Sequence, residues 1–367
     1  MEVGLVGWAT RTGIGYIDAD LWELRVADRW LVPEHPLLGV EPSLVETDAA
    51  RIRRCRVQDD VDAYRAFLDG LSAVVFVERP FLRGWDLVAE ARAAGVITCC
   101  MPMMEALPPP WAAPWVREVD VMWATTRWCA RRLRDLAVRA EARGYSCRWR
   151  DAILPAHWGV NLARFPFRER ARCDAFVFCN GYGGRDQRKG SAVVAEAARL
   201  APDVRILFRS QRAGLPRLPP NVTVLETETD ERAALYAEGG ILVAPSRWEG
   251  LGLQLYEAQA SGMPLITSDA HPMVEAMPMA VIAGRTVVSD PDAEAVFDAD
   301  PADLARLMRR YAGGDLRAAS RAARATVEEA FDLGRNLASV RPYLARACAA
   351  QWGHRSPRLF NPRGRGR

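Results

Sequence analysis

Short runs of consecutive apolar residues alternate along this chain with longer stretches whose apolar positions recur every three or four residues. Residues 3–6, 73–77, 96–100 and 119–124 are runs of the first kind, short and rich in valine, and they predict strands buried on both faces. Residues 60–70, 84–94 and 127–144 have helical spacing and fill the gaps between them. After Pro166 the alternation restarts, with strands expected at 175–179, 204–208, 222–225, 241–244 and 264–267 and helices that include 191–200 and 231–237. Strand and helix in strict turn imply a parallel sheet covered by helices on both faces, here twice over. The expectation is two doubly wound α/β domains, the first over residues 1–165 and the second over 166–349. The boundary falls within residues 153–165, ILPAHWGVNLARF, and residues 303–349 read as largely helical. Residues 350–367 read as a flexible basic tail.

The length of 367 residues agrees with two cores rather than one. A formal net charge of +3 is too small for nucleic-acid binding over the whole surface. The eight cysteines are scattered in apolar surroundings with no C-x-x-C pair, which argues for reduced core thiols rather than a zinc ribbon or a disulfide scaffold. No secretory signal opens the chain, and no run approaches the ~18 apolar residues of a membrane span. A cytoplasmic protein is expected, with peripheral membrane contact left open by the four arginines from Arg358 onward. Arg127, Arg131, Arg132 and Arg134 form a denser basic helix face, expected to be solvated.

One stretch uses charge differently. GYGGRDQRKG, residues 181–190, directly follows an expected strand and directly precedes an expected helix, and it holds the chain's only lysine, Lys189. In an open parallel sheet, ligands bind at the carboxyl ends of the strands. Glycines there let the backbone bend tightly, and the start of the next helix supplies exposed N–H groups and partial positive charge. Cations are disfavoured at a helix N-terminus unless an anion is present. Arg185 and Lys189 therefore point to a phosphate-bearing ligand, a diphosphate being the natural partner.

A second stretch, residues 244–264, reads APSRWEGLGLQLYEAQASGMP. A strand ends at Ala244, a loop carries Glu249, and a helix begins near Gly252 with Leu253, Tyr256 and Ala260 on its buried face. Gly262 and Pro264 stop it. Glu249 thus lies at the sheet's carboxyl edge and Glu257 just over one turn into the helix, while Gly250 and Gly252 allow close approach of backbone amides. Carboxylates in such a place accept hydrogen bonds from sugar hydroxyls.

EGLGLQLYE, with its E-x7-E spacing after Pro-Ser, resembles the retaining GT-B glycosyltransferases of family 4. The GGRDQRKG loop is similar to that family's G-R-x-x-x-K-G loop, and ILPAHWGVNLARF to its interdomain signature. The resemblance covers the second domain well and the first mainly in layout. It implies a GT-B fold with a central cleft, and transfer of a hexose from a UDP- or GDP-linked sugar to a hydroxyl acceptor, with retention and without a metal or other cofactor. Arg185 and Lys189 would neutralise the donor diphosphate, Glu257 would hold the ribose hydroxyls and Glu249 would face the transferred sugar. Backbone amides from Leu251 to Leu253 would complete the donor contacts. A glycan, a lipid or a small molecule would serve as acceptor.

In the first domain, the glycine-rich run TRTGIGY, residues 10–16, does not fit G-x-G-x-x-G, so a dinucleotide fingerprint is not supported. Thr12, Gly13 and Gly15 are the candidates for approach to the donor across the cleft. Many family members carry a histidine after the strand at 96–100; this chain has MPMMEALP there, and Glu105 is the analogous polar group. His35 and His157 read as structural, His271 and Glu275 as second-tier cleft residues. Neither of the Asp-Ala-Asp runs at 18–20 and 298–300 lies at a strand end with nearby donor elements, so they do not read as metal motifs. A non-catalytic partner of another transferase and a GT-B sugar epimerase remain the rival readings.

Overall fold

A computed structural model of the chain describes residues 1–45, 48, 50–56, 60–80, 87–181, 187–210, 218–226, 231–288 and 295–354, with side chains to 350. Seven strands form the first sheet: β1 (Val3–Val6), β2 (Arg29–Pro33), β3 (Ile52–Cys55), β4 (Ala73–Val77), β5 (Ile97–Met101), β6 (Val121–Ala124) and β7 (Ile153–Pro155). Their order is β3-β2-β1-β4-β5-β6-β7, and every pairing is parallel. The second sheet holds β8 (Phe176–Gly181), β9 (Ile206–Ser210), β10 (Val222–Leu225), β11 (Ile241–Ala244), β12 (Leu265–Ser268) and β13 (Ala280–Ile282). Its order is β10-β9-β8-β11-β12-β13, again parallel throughout. An antiparallel pair, β14 (Gly284–Val287) with β15 (Val296–Ala299), follows it.

The central strands form where the chain supplies uninterrupted apolar residues. β4 is Ala-Val-Val-Phe-Val, and all five residues are buried. Successive side chains of a strand point to opposite faces, so each sheet feeds two cores. Val75 and Val77 pack on one side of the first sheet, and Val74 and Phe76 on the other. The second sheet divides in the same way, Phe176 and Phe178 from Val177 and Cys179. Helices α1 (Gly13–Glu23), α2 (Val61–Leu68), α3 (Leu87–Ala93), α4 (Pro114–Glu118) and α5 (Arg127–Glu141) cover the first sheet. The second is served by α6 (Ser191–Leu200), α7 (Leu253–Ala260), α8 (Pro301–Tyr311) and α9 (Arg317–Ala330).

Several expectations need amendment. The glycine-rich run after β1 is the start of helix α1, N-capped by Thr12, whose hydroxyl accepts from the Gly15 amide at 3.3 Å. The helix expected at 231–237 is a short 3₁₀ turn, Arg232–Tyr236. The last two helices, α10 (Leu333–Leu337) and α11 (Val340–His354), do not stay with the second domain. Leu333, Leu337, Val340, Leu344 and Cys348 join the first domain's core beside Val3 and Ile97. The reason is an apolar seam on the returning chain, fastened by Arg341, which donates to Asp28 at 2.9 Å. The described cysteines are all free and buried. Among the described residues no helix is long and apolar enough to cross a membrane. Arg185 and the arginines of the tail lie outside the described residues.

Candidate functional site

In each sheet the strand order reverses at one point, between β1 and β4 in the first and between β8 and β11 in the second. A crevice opens there because the adjoining loops leave in opposite directions. Both crevices face a single cleft of about 1060 Å³. Thr12 and Gly13 reach it from the end of β1, Glu78 from β4 and Glu105 from the loop after β5; Arg188 and Lys189 come from the β8 side, Glu249 from the loop after β11. A smaller depression near Met1 lies away from these strand ends, and its charged residues are already paired, Arg29 with Glu2 at 2.8 Å.

Gly190 fixes the end of the cationic loop. Its φ is +77°, and a Cβ there would stand 2.1 Å from the Pro245 carbonyl oxygen. Residues 188–190 therefore lie directly on the loop after β11, bringing Lys189 to Glu249. Nζ of Lys189 donates to Oε1 at 2.5 Å, the Ser246 hydroxyl donates to the same oxygen at 2.7 Å, and Nη1 of Arg188 donates to Oε2 at 3.1 Å. The Lys189 side chain is 12% exposed and that of Glu249 2%. Burial alone would raise the Glu249 pKa, but Lys189 and Arg188 overcome it and hold the carboxyl below its ordinary range. Burial pushes the Lys189 ammonium down, and Arg188 adds to that while Glu249 opposes it.

Arg188 also faces the first domain, with Nη1 3.7 Å from Oε1 of Glu105. The Glu105 carboxyl rests on Gly250, where any Cβ would meet Oε2 at 2.1 Å. Oε2 is buried and receives no hydrogen bond. Burial pushes the Glu105 pKa up to about 7, with Arg188 pulling against it and Glu249 adding to it. Glu78, at the end of β4, has a left-handed backbone with φ of +66°. Such a conformation in a non-glycine residue is strained and concentrates at functional sites. Burial raises its pKa as well.

Helix α7 begins at Gly252, which caps it in a left-handed conformation without a side-chain hydrogen bond. Its first residues, Leu253 and Gln254, line the cleft, so its N-terminus opens there. Leu253 is only half-buried, and Leu255 takes the core position expected of it. By contrast, the start of α6 is partly closed, since the Gln187 side chain accepts from the Ala192 amide at 3.1 Å. Glu257 is buried one turn further along α7. It receives the Arg232 guanidinium on Oε1 and the Tyr236 hydroxyl on Oε2, the latter at 2.7 Å.

The structure thus brings together Thr12, Gly13, Glu105, Lys189, Glu249, Gly250, Leu251, Gly252, Leu253 and Glu257 around one cleft. Gly15 does not approach it: a Cβ there would strike the Thr10 carbonyl oxygen at 2.1 Å, so this glycine serves the turn into α1. His35, expected to be structural, lines the cleft beside Trp8 at 4.8 Å, and its Nδ1 accepts from the amides of Leu37 and Leu38. Glu275 is a domain fastener rather than a cleft residue. Its carboxylate accepts from the amides of Arg127 and Trp128 at 2.8 and 2.7 Å, closing the start of α5 from the other domain, with His271 3.2 Å away. Asp18 is fully buried under the Trp8 amide, Asp20 pairs with Arg232, and Asp300 caps α8. Among the described residues, no three His, Cys, Asp or Glu side chains are grouped to hold a metal ion.

Glu78 and Arg232 carry no expectation from the sequence. For Glu78 the signal is available, since the rule that ligands sit at strand ends applies to β4 as it does to β8. Arg188 stands beside the lysine, where a cation at a helix start already points to an anion, with no separate role assigned to it. Arg232 carried no local signal, because its partners lie 212 and 25 residues away.

Residues 184–311 match the family model for glycosyl transferases group 1. The D-inositol 3-phosphate glycosyltransferase of Mycolicibacterium gilvum is 31% identical over 181 residues, covering 41% of this chain and 40% of that protein. The chain thus spans about 40% of the length of the curated relatives it matches. A glycosyltransferase from Rickettsia africae superposes with a TM-score of 0.64 at 14% identity, over 94% of this chain and 98% of the other. The lipopolysaccharide outer core galactosyltransferase WaaB in its apo form gives 0.58 at 12% identity, over 93% and 99%. With two all-parallel α/β domains on either side of a cleft, the fold is GT-B.

Proposed function

We propose that this chain is a retaining glycosyltransferase of family 4, moving a hexose from a UDP- or GDP-linked sugar to a hydroxyl acceptor without a metal ion. One observation carries the reading. The segment that matches the group 1 model contains Lys189, Glu249, the open start of α7 and Glu257, and these meet on one wall of the cleft. The named relative that transfers a glycosyl group to an inositol phosphate lends it support.

In the proposed reaction, the bond between the anomeric carbon and the phosphate oxygen breaks, and its electron pair leaves with the diphosphate. Lys189, Arg188 and the amides at the start of α7 stabilise the charge that develops there, joined by Arg185. These groups are preorganised, since Lys189 and Arg188 are already held by Glu249. An acceptor oxygen attacks from the face the leaving group vacates, and its proton passes to the departing phosphate or to Glu105. Glu249 orients the transferred sugar and Glu257 the ribose. Closure of the two domains excludes water from the reacting atoms.

Turnover tests this. Purified protein incubated with a panel of UDP- and GDP-sugars should release nucleoside diphosphate slowly from one of them by hydrolysis, and faster with a hydroxyl acceptor. Lys189→Ala, which removes one donor to the developing charge, should lower the rate by about 10²–10³. Absence of release from every sugar nucleotide, by a protein that binds the same nucleotides, would favour the epimerase or non-catalytic reading.

A further inference from the structure

A buried charged cluster joins the two domains at Arg232. The residue is 9% exposed, and its guanidinium lies over the rings of Tyr16 and Phe165, 4.6 and 5.3 Å from their centres. On one side it donates to Glu257 of α7; on the other, Nη1 donates to Oδ2 of Asp20 in α1 at 3.3 Å. Asp20 is 2% exposed, and Nε of Arg164 stands 3.6 Å from its other oxygen. A buried cation with two buried carboxylates is costly to assemble and costlier to break, because losing one partner leaves the others uncompensated.

The arrangement has a geometric consequence for Glu257. A carboxylate has about four lone-pair directions. Arg232 takes one on Oε1 and Tyr236 one on Oε2, which fixes the carboxylate plane and leaves two directions for a pair of vicinal hydroxyls. Both Glu257 and Arg232 border the cleft. The guanidinium is itself held by Asp20 and lies over two rings, so the orientation of Glu257 is set from the first domain.

We infer that Arg232 and Asp20 are positioning residues for the nucleotide ribose: Asp20 of the first domain holds Arg232, Arg232 orients Glu257, and recognition of the ribose hydroxyls is thereby shared between the domains. This rests on the reading of Glu257 as the ribose carboxylate.

Calorimetric titration of UDP, GDP and their 2′-deoxy forms tests it on the wild type, Asp20→Asn, Arg232→Lys and Arg232→Leu. The wild type should prefer its ribonucleotide over the deoxy form by roughly tenfold to hundredfold, as expected for a hydrogen bond to a charged group. Asp20→Asn, at a residue that does not line the cleft, should cut that preference at least threefold while diphosphate binding persists. Arg232→Lys should keep part of it and Arg232→Leu none. If Asp20→Asn and Arg232→Lys lose thermal stability but keep the wild-type ratio, the cluster is a structural fastener and the inference fails. If the wild type binds a nucleotide yet does not distinguish ribose from deoxyribose, the ribose assignment of Glu257 itself fails. Should Arg232→Leu not fold, Asp20→Asn still decides, since it preserves shape and most hydrogen bonds.

Discussion

Glu105 shows how one partly buried side chain couples the cleft to pH. Its carboxyl is pressed onto Gly250 with one oxygen unpartnered, and burial raises its pKa to about 7. A group whose pKa is higher folded than unfolded adds stability below the unfolded value and loses it as pH rises through the folded one. Glu105 therefore stabilises the protein at pH 5 and costs stability by pH 8. Glu105→Gln should be close to the wild type in urea stability at pH 5 and more stable at pH 8, by an amount on the order of 1–3 kcal/mol. If Glu105 accepts the acceptor's proton, kcat/KM of the wild type should also rise through about pH 7, and this limb should vanish in the variant. An unchanged limb would remove Glu105 from the reaction. Reading the chain identified this residue by its place after a strand, whereas its burial arises from Gly250 of the other domain, which no local pattern encodes.

The helix starts repeat the theme. Gly190 and Gly252 are both left-handed caps without side-chain hydrogen bonds, and Gly190 stands where its loop passes close to the one after β11. Gly190→Ala would combine a strained φ with a Cβ 2.1 Å from the Pro245 oxygen, so it should destabilise the protein by about 2 kcal/mol or more and displace Lys189 from Glu249. Urea unfolding together with nucleotide binding measures both effects. A full-strength nucleotide site in this variant would show that the loop's shape is immaterial to binding. Elements like these were readable because a strand, a glycine and a helix follow one another in sequence. The edge strand β3, Ile-Arg-Arg-Cys, was not, because its two arginines are exposed and leave no apolar run. β2 escaped notice for a related reason: its charged first residue and terminal proline shorten the apolar run. The helix expected at 231–237 is instead the turn Arg232–Tyr236, whose Tyr236 hydroxyl and Arg232 guanidinium are drawn to Glu257 by tertiary contact.

Across the whole molecule, charge joins the two domains at Glu275 as well as at Arg232 and Arg188. Glu275 of the second domain closes the start of α5, adding its carboxylate to the Thr126 cap already there, at 2.9 Å from the Cys129 amide. An anion at a helix start gains from both the free amides and the helix dipole. Glu275→Ala should cost about 1 kcal/mol and loosen the pairing of the domains, seen as a larger radius of gyration in solution scattering. Equal dimensions in the two proteins would mean that the remaining contacts suffice. On the basic face of α5, Arg127, Arg131 and Arg134 are exposed, as expected of a solvated face, while Arg132 pairs with Asp135 at 3.2 Å. The twofold α/β plan was legible because it rests on local apolar runs. The return of α11 to the first core was not, since that choice depends on which surface stays uncovered after both sheets have formed.

The central claim is that the wall built from Lys189, Glu249 and the start of α7 binds a nucleoside diphosphate. Calorimetric titration of UDP and GDP into the wild type and Lys189→Ala tests it most directly. One nucleotide should bind the wild type, and the variant should bind it roughly tenfold to hundredfold more weakly, as loss of a charged hydrogen bond requires. Equal affinity in the two proteins, or no binding of either nucleotide at millimolar concentration, would contradict it.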